Sequence, residues 1–328
     1  MTQQVPVLSD LHAVRPAIYW SDLSLSAALG WGAFAVAASQ PLGSPPGVAA
    51  MVVAVFALFR ALAFTHEISH QAHRIAGFEA AWNWLVGYPL LLPSFTYAEV
   101  HFDHHRVATY GTAYDPEYLP FARSALMTAG YCLHTLIVPP FLVLRFLVLA
   151  PLAFLSPRLE QMLVERASAI AINRNYRRRA TDKLLRVVRR DTLRLLTLWT
   201  GIVALLALGV IPLRAIAVWL IVTAAIMFID GLRTLAAHAY ESDGTPMDKA
   251  AQASDSIDIP GRFWTELWAP VGLRYHATHH CYPGIPYHAL PAAYARLTNA
   301  LPGSYATMTR RGLVATLRDL CRKGLHAS

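Results

Sequence analysis

The chain has 328 residues, 55% of them hydrophobic and only 15% charged, with a mean hydropathy of +0.37. Those proportions exclude an ordinary soluble globular domain and point to membrane spans. The net charge of +8 would suit a nucleic-acid binder, but most of the excess sits between apolar stretches, as in a juxtamembrane loop, so no nucleic-acid partner is expected.

In chain order, residues 1–22 form a polar segment without the basic start, apolar core and cleavage site of a signal peptide. Residues 23–65 read as a first transmembrane hairpin, Leu23–Ser39 and Val48–Thr65, joined by a breaker-rich turn at 40–47. Residues 66–192 then carry two histidine boxes, two apolar stretches and a basic region. The apolar stretches, Ala80–Tyr97 with Pro89 and Pro93, and Met127–Leu155 with Pro139, Pro140 and Arg145, read as interfacial or re-entrant helices. In the first of them Trp82, Trp84, Tyr88, Phe95 and Tyr97 read as interfacial anchors in preference to a tunnel lining.

The basic region, Arg158 to Arg194 with Arg177–Arg179 at its centre, abuts a second hairpin over 193–231, built from Leu193–Val210 and Leu213–Ile229. Residues 232–300 hold His238 and a third box, and 301–328 form a tail. The positive-inside rule places the basic region in the cytoplasm. The parity of four spans then puts the N-terminus and every box on that side. The expected architecture is one all-α integral membrane domain over 1–328, with a four-helix stem of two hairpins, interfacial helices and a cytosolic cap.

Nine of the 14 histidines fall in three boxes and one outlier: His66 and His70; His101, His104 and His105; His238; His276, His279 and His280. Positions i, i+3 and i+4 share one face of a helix, so each box can aim its rings one way. Imidazole is the commonest metal ligand, and nine exceed the needs of one ion. A ligating ring needs an acceptor for its other nitrogen. Glu67, Asp103, Asp115, Glu117, Asp255 and Asp258 read equally as such acceptors or as solvated cap residues, whereas Asp230 and Arg233 read as each other's partners. A rival reading takes His66-Glu67-Ile-Ser-His70 as the HExxH of an intramembrane zinc metalloprotease, but it leaves the other seven histidines unexplained. Haem ligation and the glutamate-rich soluble di-iron site both fit the pattern poorly.

The ordered set HxxxH at His66/His70, HxxHH at His101/His104/His105 and HxxHH at His276/His279/His280 resembles the membrane fatty acid desaturase and hydroxylase superfamily. His238 near the end of a span extends the likeness. So do Tyr110-Gly-Thr-Ala-Tyr-Asp-Pro-Glu-Tyr118 and Ile285-Pro-Tyr-His-Ala-Leu-Pro291, which look like bacterial members. The resemblance implies a di-iron centre held by the nine histidines where a four-helix stem meets the cap, with no separate catalytic residue; zinc can replace iron in purified protein. It implies oxidation of an unactivated C–H bond in a lipid hydrocarbon chain by O2 and two electrons. Desaturation of a fatty acyl lipid is the first expectation; hydroxylation or ketolation of a lipid or carotenoid on the same scaffold is the alternative. One departure is Thr234, at a position where acyl-CoA desaturases carry an asparagine that reaches one iron through water.

Three dispersed cysteines, Cys132, Cys281 and Cys321, form no iron–sulfur ligand set, and no nucleotide-binding or haem-domain fingerprint occurs. Electrons are therefore expected from an external ferredoxin or flavodoxin with its reductase, at the cytoplasmic face of a bacterial inner membrane.

Overall fold

The computed structural model describes residues 8–327, and among them every regular element is helical; only isolated bridges stand in for strands. Helix α1, Pro16–Ser39, starts on a proline, whose missing N–H costs nothing in a first turn. It ends ahead of the turn at Gly43, whose φ of +80° favours glycine. Helix α2, Pro45–Gln71, returns antiparallel against it. The two approach closely at Gly30, where a Cβ would lie 2.6 Å from the Leu58 side chain. Tyr19, Leu58, Phe59 and Phe64 bury themselves in this contact. Nothing in the first box breaks the helical pattern, so α2 runs through it and carries His66 and His70 on its last turns.

The stretch after α2 is packed, contrary to its expected place at the interface. Trp82, Tyr88, Phe95 and Tyr97 are buried and only Trp84 is exposed. The reason is polar as well as apolar: the Trp82 indole donates to the Ala61 carbonyl at 2.8 Å, and Asn83 binds both the backbone and the hydroxyl of Ser94. These bonds fold 78–97 back onto α2 and deliver the chain to helix α3, Ala98–His104.

Among the described residues four helices are long and apolar enough to cross a membrane, as expected, and the protein is an integral membrane protein; the membership differs from the sequence reading. In place of a pair of interfacial helices, Met127–Leu155 lies almost wholly in one continuous run, helix α4 at Ala125–Ala153. Pro139 and Pro140 are accommodated inside it, and a widened π turn follows at Leu144–Leu149. Helix α5, Asp182–Ala207, begins within the basic region and is too charged along its first half to be counted. It still pairs with helix α6, Arg214–Leu235, through a short turn at 208–213 and a Trp199–Trp219 contact at 5.4 Å. The main partner of α6 is nonetheless α4, seated where Gly231 leaves room for Thr135.

The cap is made by short helices, of which α7, His276–Cys281, carries the third box. The C-terminal helix α8, Leu313–His326, docks on the start of α4. Its Gly324 sits so close that a Cβ would fall 2.5 Å from the backbone nitrogen of Ala125. Gly324→Ala should therefore cost about 1–3 kcal/mol through overpacking. The expected readout is a lower melting temperature with faster proteolytic trimming of α8; an unchanged melting curve would contradict this docking.

Candidate metal centre

Four elements bring the histidines together. His66 and His70 come from α2, and His101 and His104 from α3 with His105 as its terminating residue. His238 lies three residues beyond α6, in a bridge to Ser256. His276, His279 and His280 come from α7. A helix as short as α7 does not hold itself, and Asp258 holds it from outside: the Thr278 N–H and hydroxyl donate to its carboxylate at 3.1 and 2.6 Å. Burial pushes the Asp258 carboxyl up to about 7 against those bonds.

The rings form two nests. His66, His70, His101 and His279 offer nitrogens within 4.8 Å of one another, and so do His104, His238, His276 and His280. The ninth, His105, borders the first nest, its Nε2 lying 2.9 Å from that of His101 and 3.2 Å from that of His279. In the second nest the Nε2 atoms of His238 and His276 are 3.0 Å apart, and those of His276 and His280 3.1 Å. Two nitrogens bound at right angles to one ion, at bonds of ~2.1 Å, would sit roughly 3 Å apart. Neutral imidazoles brought this close without an ion can share only one proton per pair. In addition, His66 Nδ1 and Nε2, His70 Nε2 and His104 Nε2 are buried without a hydrogen-bond partner among the described residues, a costly arrangement that a metal relieves. The donor set thus fits two ions, one with five imidazole neighbours and one with four.

Burial holds His101, His105, His238, His276, His279 and His280 well below the usual imidazole range, in the neutral form that ligation needs. His104 differs: burial opposes its charge, but the carboxylates of Asp115, Glu117 and Asp255 together outweigh it and the imidazole is raised.

Of the expected acceptors, three serve the rings. His101 Nδ1–H donates to Glu117 at 2.8 Å, and His104 Nδ1–H donates to Asp115 at 2.9 Å. Asp255 acts at one remove: it accepts from the Tyr110 hydroxyl at 3.0 Å, and that oxygen accepts from His238 Nδ1–H at 2.9 Å. The others are engaged elsewhere. Glu67 accepts from the Tyr19 hydroxyl and the Tyr287 N–H and stays 3.8 Å from His66, so it does not stand ready to activate water as a protease requires. Asp103 pairs with Arg106 and the Tyr176 hydroxyl near the surface. Asp258 is engaged by Thr278. Thr234 is buried, with its carbonyl accepting from the Tyr240 hydroxyl at 2.7 Å. Sequence reasoning missed Tyr110 and Tyr97; the latter stacks on His101 with ring centroids 5.0 Å apart and donates to Glu117. Tyr97 stands four residues before His101, and Tyr110 six after His104, where it opens the Tyr110–Tyr118 stretch that carries part of the resemblance.

Residues 42–312 match the family described as fatty acid desaturase. A ceramide hydroxylase of Caulobacter vibrioides (strain NA1000 / CB15N) is 39% identical over 327 residues, an alignment that covers 98% of this chain and 93% of that protein.

Proposed function

The chain belongs to the fatty acid desaturase family and is an oxidoreductase, and from that premise we propose that it hydroxylates a hydrocarbon chain of a ceramide or a close sphingolipid relative. The observation that carries the reading is the 39% identity to a ceramide hydroxylase across nearly the whole of both chains. It moves the balance from the desaturation first expected toward the hydroxylation held as the alternative.

The nine boxed histidines are the proposed ligands, with Glu117, Asp115 and the Tyr110–Asp255 pair fixing the tautomers of His101, His104 and His238. Bound there, a pair of irons supplies O2-activating chemistry that replaces a C–H bond by C–OH, with two electrons and two protons arriving from outside and the second oxygen leaving as water. The chain's own contribution is placement and exclusion. Eight of the nine rings are buried and His70 is half-buried, and the aliphatic walls of α2 and α6 keep bulk water from the nests. In the same reading the electron donor is an external ferredoxin or flavodoxin, and the protein lies in the cytoplasmic membrane with the nests on the inner side.

Mass spectrometry of sphingolipids from cells with and without the gene tests this. The expected result is a ceramide species that gains one oxygen only when the gene is present. A gene-dependent species that instead lacks two hydrogens would favour desaturation. No change in any sphingolipid would sink the substrate reading.

A further inference from the structure

Arg145 is the only Asp, Glu, Lys or Arg in the 29 residues of α4. It stands in the widened turn at Leu144–Leu149 and is only 8% exposed. A buried guanidinium is costly unless its charge and its N–H groups are met. Arg145 meets them poorly. Its Nε donates at 2.7 Å to the carbonyl of Ala167, the last residue of the short helix Pro157–Ala167, and its guanidinium carbon lies 4.9 Å from the centre of the Phe146 ring. Among the described residues Nη1 and Nη2 make no hydrogen bond, and no carboxylate pairs with the charge. Arg145 lines a narrow cleft together with Glu160, Arg189 and Thr192. Glu160 does not serve Arg145, because Arg189 engages both of its oxygens through Nε and Nη2. Thr192 is buried, and its hydroxyl makes no hydrogen bond among the described residues.

The cleft thus carries one positive charge in excess and donors without acceptors. An oxyanion is the complement: it accepts only, and a guanidinium can meet two of its oxygens at once. The surroundings narrow the choice. On α5 the cleft lies at Val188–Thr192, just before the last charge, Arg194, and the uncharged run that follows to Ala207. The remaining walls are apolar, and Leu152, Phe154, Leu155 and Leu193 are exposed on or beside them. A level where charge gives way to exposed apolar surface is that of lipid headgroups, where the plentiful oxyanion is a phosphodiester. We propose that the cleft is a phosphate site, in which Arg145 and the Thr192 hydroxyl hold the phosphodiester of a phospholipid whose chains lie on the apolar flank. Free phosphate offers the same oxygens without the chains. None of the boxed histidines lines the cleft, so this phosphate is bound apart from the metal centre.

The test uses the full-length, iron-loaded protein, stripped of lipid in detergent, with three probes: phosphatidylglycerol, the diacylglycerol of the same chains, and inorganic phosphate. Phosphatidylglycerol should raise the melting temperature by about 2–4 °C and leave one lipid bound per chain in a native mass spectrum. Diacylglycerol should do neither, and Arg145→Gln should lose both effects. Thr192→Val, which leaves the Arg145–Ala167 contact in place, should weaken lipid retention roughly tenfold. Equal shifts from phosphatidylglycerol and diacylglycerol would overturn the phosphate site and leave an apolar groove. The full shift from inorganic phosphate alone would keep the site and overturn the lipid as its source. A lipid shift that survives in Arg145→Gln, or no shift from any probe, would overturn the assignment outright. Should Arg145→Gln not fold, the contrast between phosphatidylglycerol and diacylglycerol on the unaltered protein, with Thr192→Val beside it, still decides the matter.

Discussion

His279→Ala will leave a protein that holds about one metal per chain in place of about two and oxidises no lipid. His279 is the third-box contribution to the first nest, and its Nε2 is also one of the two that His105 faces. Alanine there leaves His66, His70 and His101, with His105 turned toward a gap. The second nest draws His276 and His280 from the same helix and keeps all four of its rings. His276→Ala should give the mirror result, emptying the second nest and sparing the first. Activity should vanish in both cases, because two-electron O2 chemistry divided between two ions cannot proceed on one. His326→Ala, at an exposed position on α8, is the control and should change neither quantity. Elemental analysis of the purified proteins and a lipid product assay read the two effects separately. Undiminished lipid oxidation in His279→Ala, with two metals still held, would overturn the assignment of His279 to the first nest.

The histidine cluster was legible because box spacing survives any tertiary arrangement: rings at i, i+3 and i+4 must share a helix face. What spacing alone could not apportion was which ring joins which nest. Adjacent residues His104 and His105 turn to different nests, as His279 and His280 of α7 do. The carboxylates were harder still. Asp103 stands inside a box yet faces Tyr176, whereas Asp115 and Glu117, eleven and sixteen residues from the rings they serve, return through a turn at Gly111. Loop closure of that kind leaves no periodic trace. The helical stem was legible in number and less so in membership, since hydropathy weighs Arg145 and two prolines against α4 without knowing that a π turn and the Ala167 carbonyl accommodate them.

The two carboxylates beneath box two should not be equally sensitive to neutralisation. Asp115 is wholly buried and uses both oxygens: Oδ1 accepts from His104 Nδ1 and from the Glu117 N–H, and Oδ2 accepts from the Gly111 N–H at 2.8 Å. An asparagine must set its NH2 against one of these donors, and none of them can reverse. Glu117 accepts from His101 through Oε1 and from the Tyr97 hydroxyl through Oε2. A glutamine keeps the first contact, and the Tyr97 hydroxyl can rotate to accept from the new NH2. Burial already pushes the Glu117 carboxyl up to about 7, so less charge stabilisation is forfeited there. Loss of an outer partner of a ligating histidine costs roughly 10–100-fold in metal affinity. Asp115→Asn should fall near the upper end of that range and Glu117→Gln near the lower, measured as iron retained against a competing chelator. The reverse order would mean that the tautomer of His101, and not that of His104, is the more tightly governed of the two.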